Sequence, residues 1–132
     1  MAGMRESAAP AVLVVDDEPT LLQLMTRVLR RAGYAVLTAD EGERALEVFE
    51  KAEQPVGAVL IDLRLRPQGG GAILRGLLSR SPGLGVVVTS GSALDPETRE
   101  LLEGRRGEFV RKPFAPETLL RAVARALEHA SA

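Results

Sequence analysis

Residues 12–19 read VLVVDDEP, an apolar run that ends in two adjacent aspartates. Four apolar and mostly β-branched residues in succession are typical of a strand buried on both faces, as in a parallel sheet. Asp16 and Asp17 are a costly ending for such a strand, because like charges repel. Other residues of the chain are therefore expected to offset the repulsion between these two aspartates.

Four further apolar runs, separated by segments of helical periodicity, repeat this arrangement along the chain. The alternation predicts parallel pairing through right-handed crossovers, and therefore an α/β open sheet with helices on both faces. A length of 132 residues fits one domain. The five predicted strands are AVLVV (11–15), AVLT (35–38), GAVLI (57–61), GVVVTS (85–90) and EFVR (108–111).

Start and stop signals mark the predicted helices. Gly33 is predicted to close the first helix. Asp40, followed by Glu43 three residues later, has the spacing of a capping box at the start of the second helix. Asp95 before Pro96 predicts the N-cap of the fourth helix.

Composition and charge argue against several classes of protein. A net charge of −1 gives no electrostatic reason to expect nucleic-acid or anionic-membrane binding, and the absence of cysteine removes disulfides and thiolate metal sites. No apolar run reaches the roughly 18 residues that span a bilayer, and residues 1–10 lack the apolar region of a signal peptide. We therefore expect a cytoplasmic protein with a flexible segment at 1–10 and one domain at 11–130.

Polar residues of complementary charge are predicted to meet where the strands end. Asp16 and Asp17 follow the first strand, Asp62 the third and Lys112 the fifth, while Ser90 ends the fourth. Ligands of such sheets bind at this edge. Two carboxylates about 4 Å apart repel by roughly 4 kcal/mol at an effective dielectric of about 20, so a cation is needed between them. Mg²⁺ suits one or two carboxylates with water and a phosphate, and a lysine supplies a second compact positive charge.

These motifs resemble the receiver domain of bacterial two-component response regulators over residues 11–130. The resemblance is carried by DD after the first strand, the aspartate of VLIDL, SG after the fourth strand and KPF after the fifth. The spacings of 28 residues from Asp62 to Ser90 and 22 from Ser90 to Lys112 are typical of that family. The fold it implies is flavodoxin-like, a (βα)5 doubly wound parallel sheet in the order 2-1-3-4-5.

For the acidic residues, the resemblance implies a phosphoryl acceptor beside a Mg²⁺ site. Asp62 would accept the phosphoryl group from a histidine kinase or a phosphotransfer protein. Asp17 and Asp62 would bind Mg²⁺, Asp16 would hold it through water, and the backbone carbonyl of Arg64 would be a further ligand. The domain would catalyse at most its own phosphorylation and autodephosphorylation, and so it would not be an enzyme in the ordinary sense.

For the remaining residues, the resemblance implies a switch. Lys112 would pair with one phosphoryl oxygen, and Ser90 would move to hydrogen-bond another. Phe109 would then turn inward and alter the surface formed by the fourth helix, the fifth strand and the fifth helix. A downstream effector or a fused output domain would read that surface, and the sequence leaves a homodimer open.

The loop after Asp62 departs from the family pattern. Arg66 stands where a proline is usual, with Pro67 after it, whereas Gly70 matches the family. We expect a more flexible loop in which Arg64 and Arg66 are solvated charges. This departure keeps alternatives open: a receiver-fold interaction module that no longer uses phosphorylation, a receiver piece of a hybrid sensor kinase, or, more weakly, a metal-dependent phosphatase.

Overall fold

The computed structural model describes residues 10–66 and 69–130, and within them five strands alternate with five helices. The strands form one parallel sheet in the order β2-β1-β3-β4-β5, so the predicted fold class and strand order are confirmed. Pro67 and all of the predicted N-terminal segment except Pro10 lie outside the described residues. The bounds are β1 Ala11–Val15, α1 Pro19–Arg31, β2 Val36–Ala39, α2 Gly42–Lys51, β3 Val56–Asp62, α3 Gly70–Arg80, β4 Gly85–Ser90, α4 Pro96–Arg105, β5 Glu108–Arg111 and α5 Pro116–His129.

The sheet is covered on both faces, because side chains alternate along each strand. Every residue of β1 and of β4 is buried. Leu13 and Val15 face the core shared with α2, α3 and α4, whereas Val12 and Val14 face the core shared with α1 and α5. The central strands therefore have no polar face, and their carboxyl ends are where polar side chains can gather. Among the described residues, no helix has the length and apolar character that crossing a membrane requires.

Two of the predicted helix signals are confirmed. Gly33 lies just beyond the end of α1 with a φ of 99°, a left-handed conformation that favours glycine. Asp95 is the N-cap of α4, and its carboxylate accepts a hydrogen bond from the backbone N–H of Thr98 at 3.1 Å.

The predicted capping box at the start of α2 is wrong. Glu41, not Asp40, is the N-cap residue, and within the described chain no side chain caps this helix. The physical reason is that β2 runs one residue further than predicted. Ala39 still pairs with Val15, so Asp40 is part of the turn that follows and the helix begins only at Gly42.

Candidate functional site

Three aspartates meet at the carboxyl edge of the sheet. The parallel pairing of Val15 with Ile61 brings Asp16 and Asp62, the next residues of the two chain segments, side by side. One carboxylate oxygen from each of Asp16, Asp17 and Asp62 lies within 4.8 Å of the others. Asp16 is fully buried and Asp62 is 5% exposed. The structure thus brings together the three acids that the sequence singles out.

Lys112 lies between two of these acids. Its Nζ is 3.2 Å from Asp16 Oδ2 and 3.2 Å from Asp62 Oδ2. The Lys112 backbone N–H donates to the carbonyl of Ser90 at 2.9 Å, which ties the start of the β5–α5 connection to the end of β4. A single ammonium therefore bridges the ends of β1 and β3 from the far side of β4.

The electrostatics of the cluster are those of a site short of positive charge. Burial raises the pKa of Asp16, and the charge of Asp62 raises it further, against the lowering effects of the Glu18 N–H and Lys112. Burial lowers the pKa of Lys112, but the charges of Asp16 and Asp62 outweigh it and the pKa is raised overall. Two of the three carboxyl groups share one ammonium, and the three closely spaced hard oxygen donors fit Mg²⁺.

Asp62 is held by the loop that follows it. Its Oδ1 accepts a hydrogen bond from the backbone N–H of Arg64 at 3.1 Å, while Oδ2 faces Lys112. Gly70, at the start of α3, packs directly on the Asp62 backbone, because a Cβ at that position would lie 2.2 Å from the Asp62 carbonyl oxygen. Glycine is therefore required there by close approach. The predicted role of the Arg64 carbonyl as a metal ligand stays a prediction.

Ser90 lies at the end of β4 and is 2% exposed. Its Oγ accepts a hydrogen bond from the backbone N–H of Ser92 at 3.1 Å. The Arg64 guanidinium in turn donates to Ser92 Oγ at 2.5 Å, which joins the loop after β3 to the loop after β4. Arg64 is exposed, as predicted for a loop charge, and Ser92 is a partner that the sequence did not indicate.

Two further residues complete the surroundings of the site. Phe109 pairs with Val88 in the sheet and packs, partly buried, against the core on the α2, α3 and α4 side. Thr89, which pairs with Asp62, is 1% exposed, and among the described residues its Oγ1 has no hydrogen-bond partner. The roles of Ser90 and Phe109 as a switch stay predictions.

Arg66 contacts the cluster in a way that sequence reasoning missed. Its Nε lies 3.3 Å and its backbone N–H nitrogen 3.4 Å from Asp17 Oδ2. Arg66 is exposed, as predicted for a loop charge, but it also contacts Asp17 because the loop after β3 returns over the end of β1. The available signal was a cation in place of the usual proline, four residues after an acid at the same edge.

The chain is similar in sequence to longer proteins of known name. The C4-dicarboxylate transport transcriptional regulatory protein DctD of Pseudomonas aeruginosa is 34% identical over 121 residues, which are 92% of this chain and 26% of DctD. The sensor kinase CckA of Brucella abortus is 32% identical over 122 residues, which are 92% of this chain and 13% of CckA. The chain thus spans about a quarter or less of the length of these two relatives.

A solved structure and a family model cover most of the chain. The crystal structure of a response regulator receiver domain protein from Clostridium thermocellum has a TM-score of 0.78 and 28% identity, covering 91% of this chain and 95% of that one. The family model described as the response regulator receiver domain matches residues 12–124. Because this match covers far more than half of the chain, the protein belongs to the response regulator receiver domain family of two-component signalling.

Proposed function

We propose that the domain accepts a phosphoryl group on Asp62, in a site that also holds Mg²⁺, and that this changes its α4–β5–α5 surface. The donor would be a histidine kinase or a phosphotransfer protein. The observation that carries the proposal is the position of Lys112 Nζ, 3.2 Å from both Asp16 and Asp62 beside a third acid. This arrangement pairs a nucleophilic carboxylate with a cation fixed next to it.

In the transfer step, a carboxylate oxygen of Asp62 attacks the phosphorus of a phosphohistidine. A new O–P bond forms, the P–N bond breaks, and the imidazole nitrogen keeps the electron pair. The Arg64 N–H and Lys112 hold the two carboxylate oxygens in place, and Lys112 can then donate to a phosphoryl oxygen. Asp16, Asp17, Asp62 and the Arg64 carbonyl would hold Mg²⁺, whose charge would offset the negative charge of the phosphoryl oxygens.

The switch would start at Ser90. Phosphorylation adds a charge of about −1.5 to −2 and three acceptor oxygens, so a nearby hydroxyl gains a strong partner. Ser90 accepts a hydrogen bond from Ser92 and retains its own proton to donate to the phosphoryl group. Its movement would leave space next to β5, and Phe109 on that strand would fill the space. The change would thereby reach α4 and α5.

The α4–β5–α5 surface would be recognised either by another domain of the same protein or by a separate protein. Relatives of the chain include both a transcriptional regulator and a sensor kinase. We propose a cytoplasmic receiver whose output is a downstream effector, a fused output domain or a second copy of the chain. The net charge of −1 does not favour direct nucleic-acid binding by this domain.

The acceptor is tested with acetyl phosphate and Mg²⁺, comparing the wild type with Asp62→Asn and, as a matched control, Asp40→Asn. Asp40 is an exposed aspartate in the turn after β2. Intact-mass spectrometry should show one added phosphoryl group on the wild type and on Asp40→Asn, and none on Asp62→Asn. Equal labelling of all three proteins, or no labelling of the wild type, would contradict the proposal.

A second candidate function is an interaction module that does not use phosphorylation. The observation in its favour is the ion pair of Arg66 with Asp17, which occupies a residue that the phosphorylation site needs. Beryllofluoride with Mg²⁺ separates the two functions, because it mimics the phosphoryl group. Shifts in the amide resonances of Ser90 and Phe109 support the switch, whereas an unchanged spectrum supports the module.

A further inference from the structure

Arg66 and Lys112 divide the three acids between them. Lys112 pairs with Asp16 and Asp62, the two buried members of the cluster. Arg66 pairs with Asp17, through the side-chain Nε at 3.3 Å and the backbone N–H at 3.4 Å, both on the same oxygen, Oδ2. The two cations therefore approach the cluster from different loops and satisfy different carboxylates.

The two cations also differ in how readily they can leave. The Lys112 side chain is 21% exposed, whereas the Arg66 side chain is 86% exposed. The Asp17 side chain is 23% exposed, so this carboxylate is the member of the cluster that solvent reaches. An exposed arginine can give up its partner without leaving a buried charge behind, and the pair it forms is weak and screened by salt.

We propose that Arg66 sets the Mg²⁺ affinity of the site by competing for Asp17. The inference rests on the proposed function, in which Asp17 is a ligand of the ion. A guanidinium and a divalent cation draw on the same negative charge, so binding of the ion weakens or breaks the Arg66–Asp17 pair. The free energy of that pair is then subtracted from the free energy of Mg²⁺ binding.

Arg66 stands at a position where the resemblance to receivers predicts a residue without these donors. The residue lies four positions after Asp62, where the resemblance to receivers leads us to expect a proline. Proline has neither a charged side chain nor a backbone N–H, so it lacks both groups that contact Asp17 here. Arg66 therefore supplies two donors to Asp17 that a proline at this position would not supply.

The test is a titration of the domain with MgCl2 by isothermal titration calorimetry at fixed ionic strength. Arg66→Gln removes the charge and keeps the backbone N–H. We expect its dissociation constant for Mg²⁺ to fall about two- to fivefold, the range that an exposed ion pair is worth. The matched control is Arg75→Gln, which removes the same charge from an arginine of α3 that pairs with Glu97. That control should bind Mg²⁺ as the wild type does.

A double-mutant cycle with Asp17→Asn shows whether the effect passes through this carboxylate. If Arg66 acts on Asp17, the gain from Arg66→Gln disappears in the Asp17→Asn background. A gain that persists there, or that Arg75→Gln reproduces, would mean a general charge effect and would overturn the proposal. Equal affinities of the wild type and Arg66→Gln, or weaker binding by the variant, would overturn it as well.

The titration separates this inference from the proposed function. If neither the wild type nor Arg66→Gln binds Mg²⁺, the metal centre itself fails and the role of Arg66 fails with it. If both bind with the same dissociation constant, the metal centre stands and only the competition is refuted. Tighter binding by Arg66→Gln that converges on the wild-type value at high salt supports the competition, because salt screens the exposed pair.

Discussion

Asp16, at the carboxyl edge of the sheet, and Asp95, at the N-terminus of α4, are the same residue type in opposite situations. Each accepts a backbone hydrogen bond close to the start of a helix: Asp16 Oδ1 from Glu18 at 2.9 Å and Asp95 from Thr98 at 3.1 Å. Burial nevertheless raises the pKa of Asp16, whereas hydrogen bonds from Thr98 lower the pKa of the exposed Asp95. One backbone hydrogen bond therefore does not determine whether the pKa of a carboxyl group is raised or lowered.

The comparison shows what separates a structural acid from a site. At α4, water and the N–H groups of the helix start stabilise the charge, so nothing else is required. At the sheet edge, the carboxylate is desolvated by β1 and by the residues around it, and its charge has to be met by a cation. Lys112 is such a cation, since its Nζ lies 3.2 Å from both Asp16 and Asp62.

The largest expected effect comes from removing that cation. Lys112→Met leaves the buried carboxyl groups of Asp16 and Asp62 without their ammonium partner. We expect the free energy of unfolding to fall by about 3 kcal/mol, at the low end for a broken buried pair because part of the Lys112 side chain reaches solvent. Urea unfolding followed by circular dichroism measures the change.

The chain's other lysine is the control for this prediction. Lys51 forms an exposed pair with Glu47 at 3.7 Å on α2. Lys51→Met should change the free energy of unfolding by less than about 0.5 kcal/mol. Similar losses for the two variants would mean that burial is not what distinguishes the sheet edge from the helix surface.

A smaller effect is expected when the backbone of the sheet edge is displaced and no charge is removed. Gly70→Ala places a Cβ where the Asp62 carbonyl oxygen already lies, so α3 or the loop after β3 has to move. We expect a loss of about 2 kcal/mol in the free energy of unfolding. Gly71→Ala is the matched control, since among the described atoms nothing lies within 4 Å of a Cβ there. That variant should be neutral or gain up to about 1 kcal/mol, and equal losses in both would refute the close approach.

Much of this edge could be predicted from the sequence, because strand ends in parallel sheets share one edge. The apolar runs locate Val15 and Ile61, and the pairing of these two residues makes Asp16 and Asp62 neighbours. The same logic places Ser90 and Lys112 near the acids. Each of these positions is fixed by a strand, and strands are what hydrophobic periodicity detects.

The failures fall where a turn or a loop decides the outcome. Asp40 and Glu43 have the spacing of a capping box, but the pairing of Ala39 with Val15 extends β2 and uses Asp40 in the turn. Arg66 reaches Asp17 only because the loop after β3 folds back over the end of β1. Neither pairing length nor loop direction is encoded in the spacing of a few residues, so local pattern could not supply them.

The smallest expected effect is the pH dependence of the α4 cap. The pKa of Asp95 is lowered below its ordinary value of 3.8, so the folded state binds this proton less readily than the unfolded state does. The stability that the ionised cap contributes is therefore present above 3.8 and is lost as the pH falls through the lower folded pKa. Asp95→Asn has no such ionisation, so it should be less stable than the wild type at neutral pH and approach it in acid.

This difference is measured by urea unfolding of the wild type and Asp95→Asn across the acid range, with Asp40→Asn as the control that caps no helix. A difference in the free energy of unfolding between the wild type and Asp95→Asn that stays constant with pH would show that the charge of Asp95 does not contribute to capping. The two aspartates would then differ only in burial. If the gap closes in acid while that of Asp40→Asn does not change, the start of α4 stabilises the charge of Asp95. The buried end of β1 cannot stabilise the charge of Asp16 in the same way, so the sheet edge needs cations.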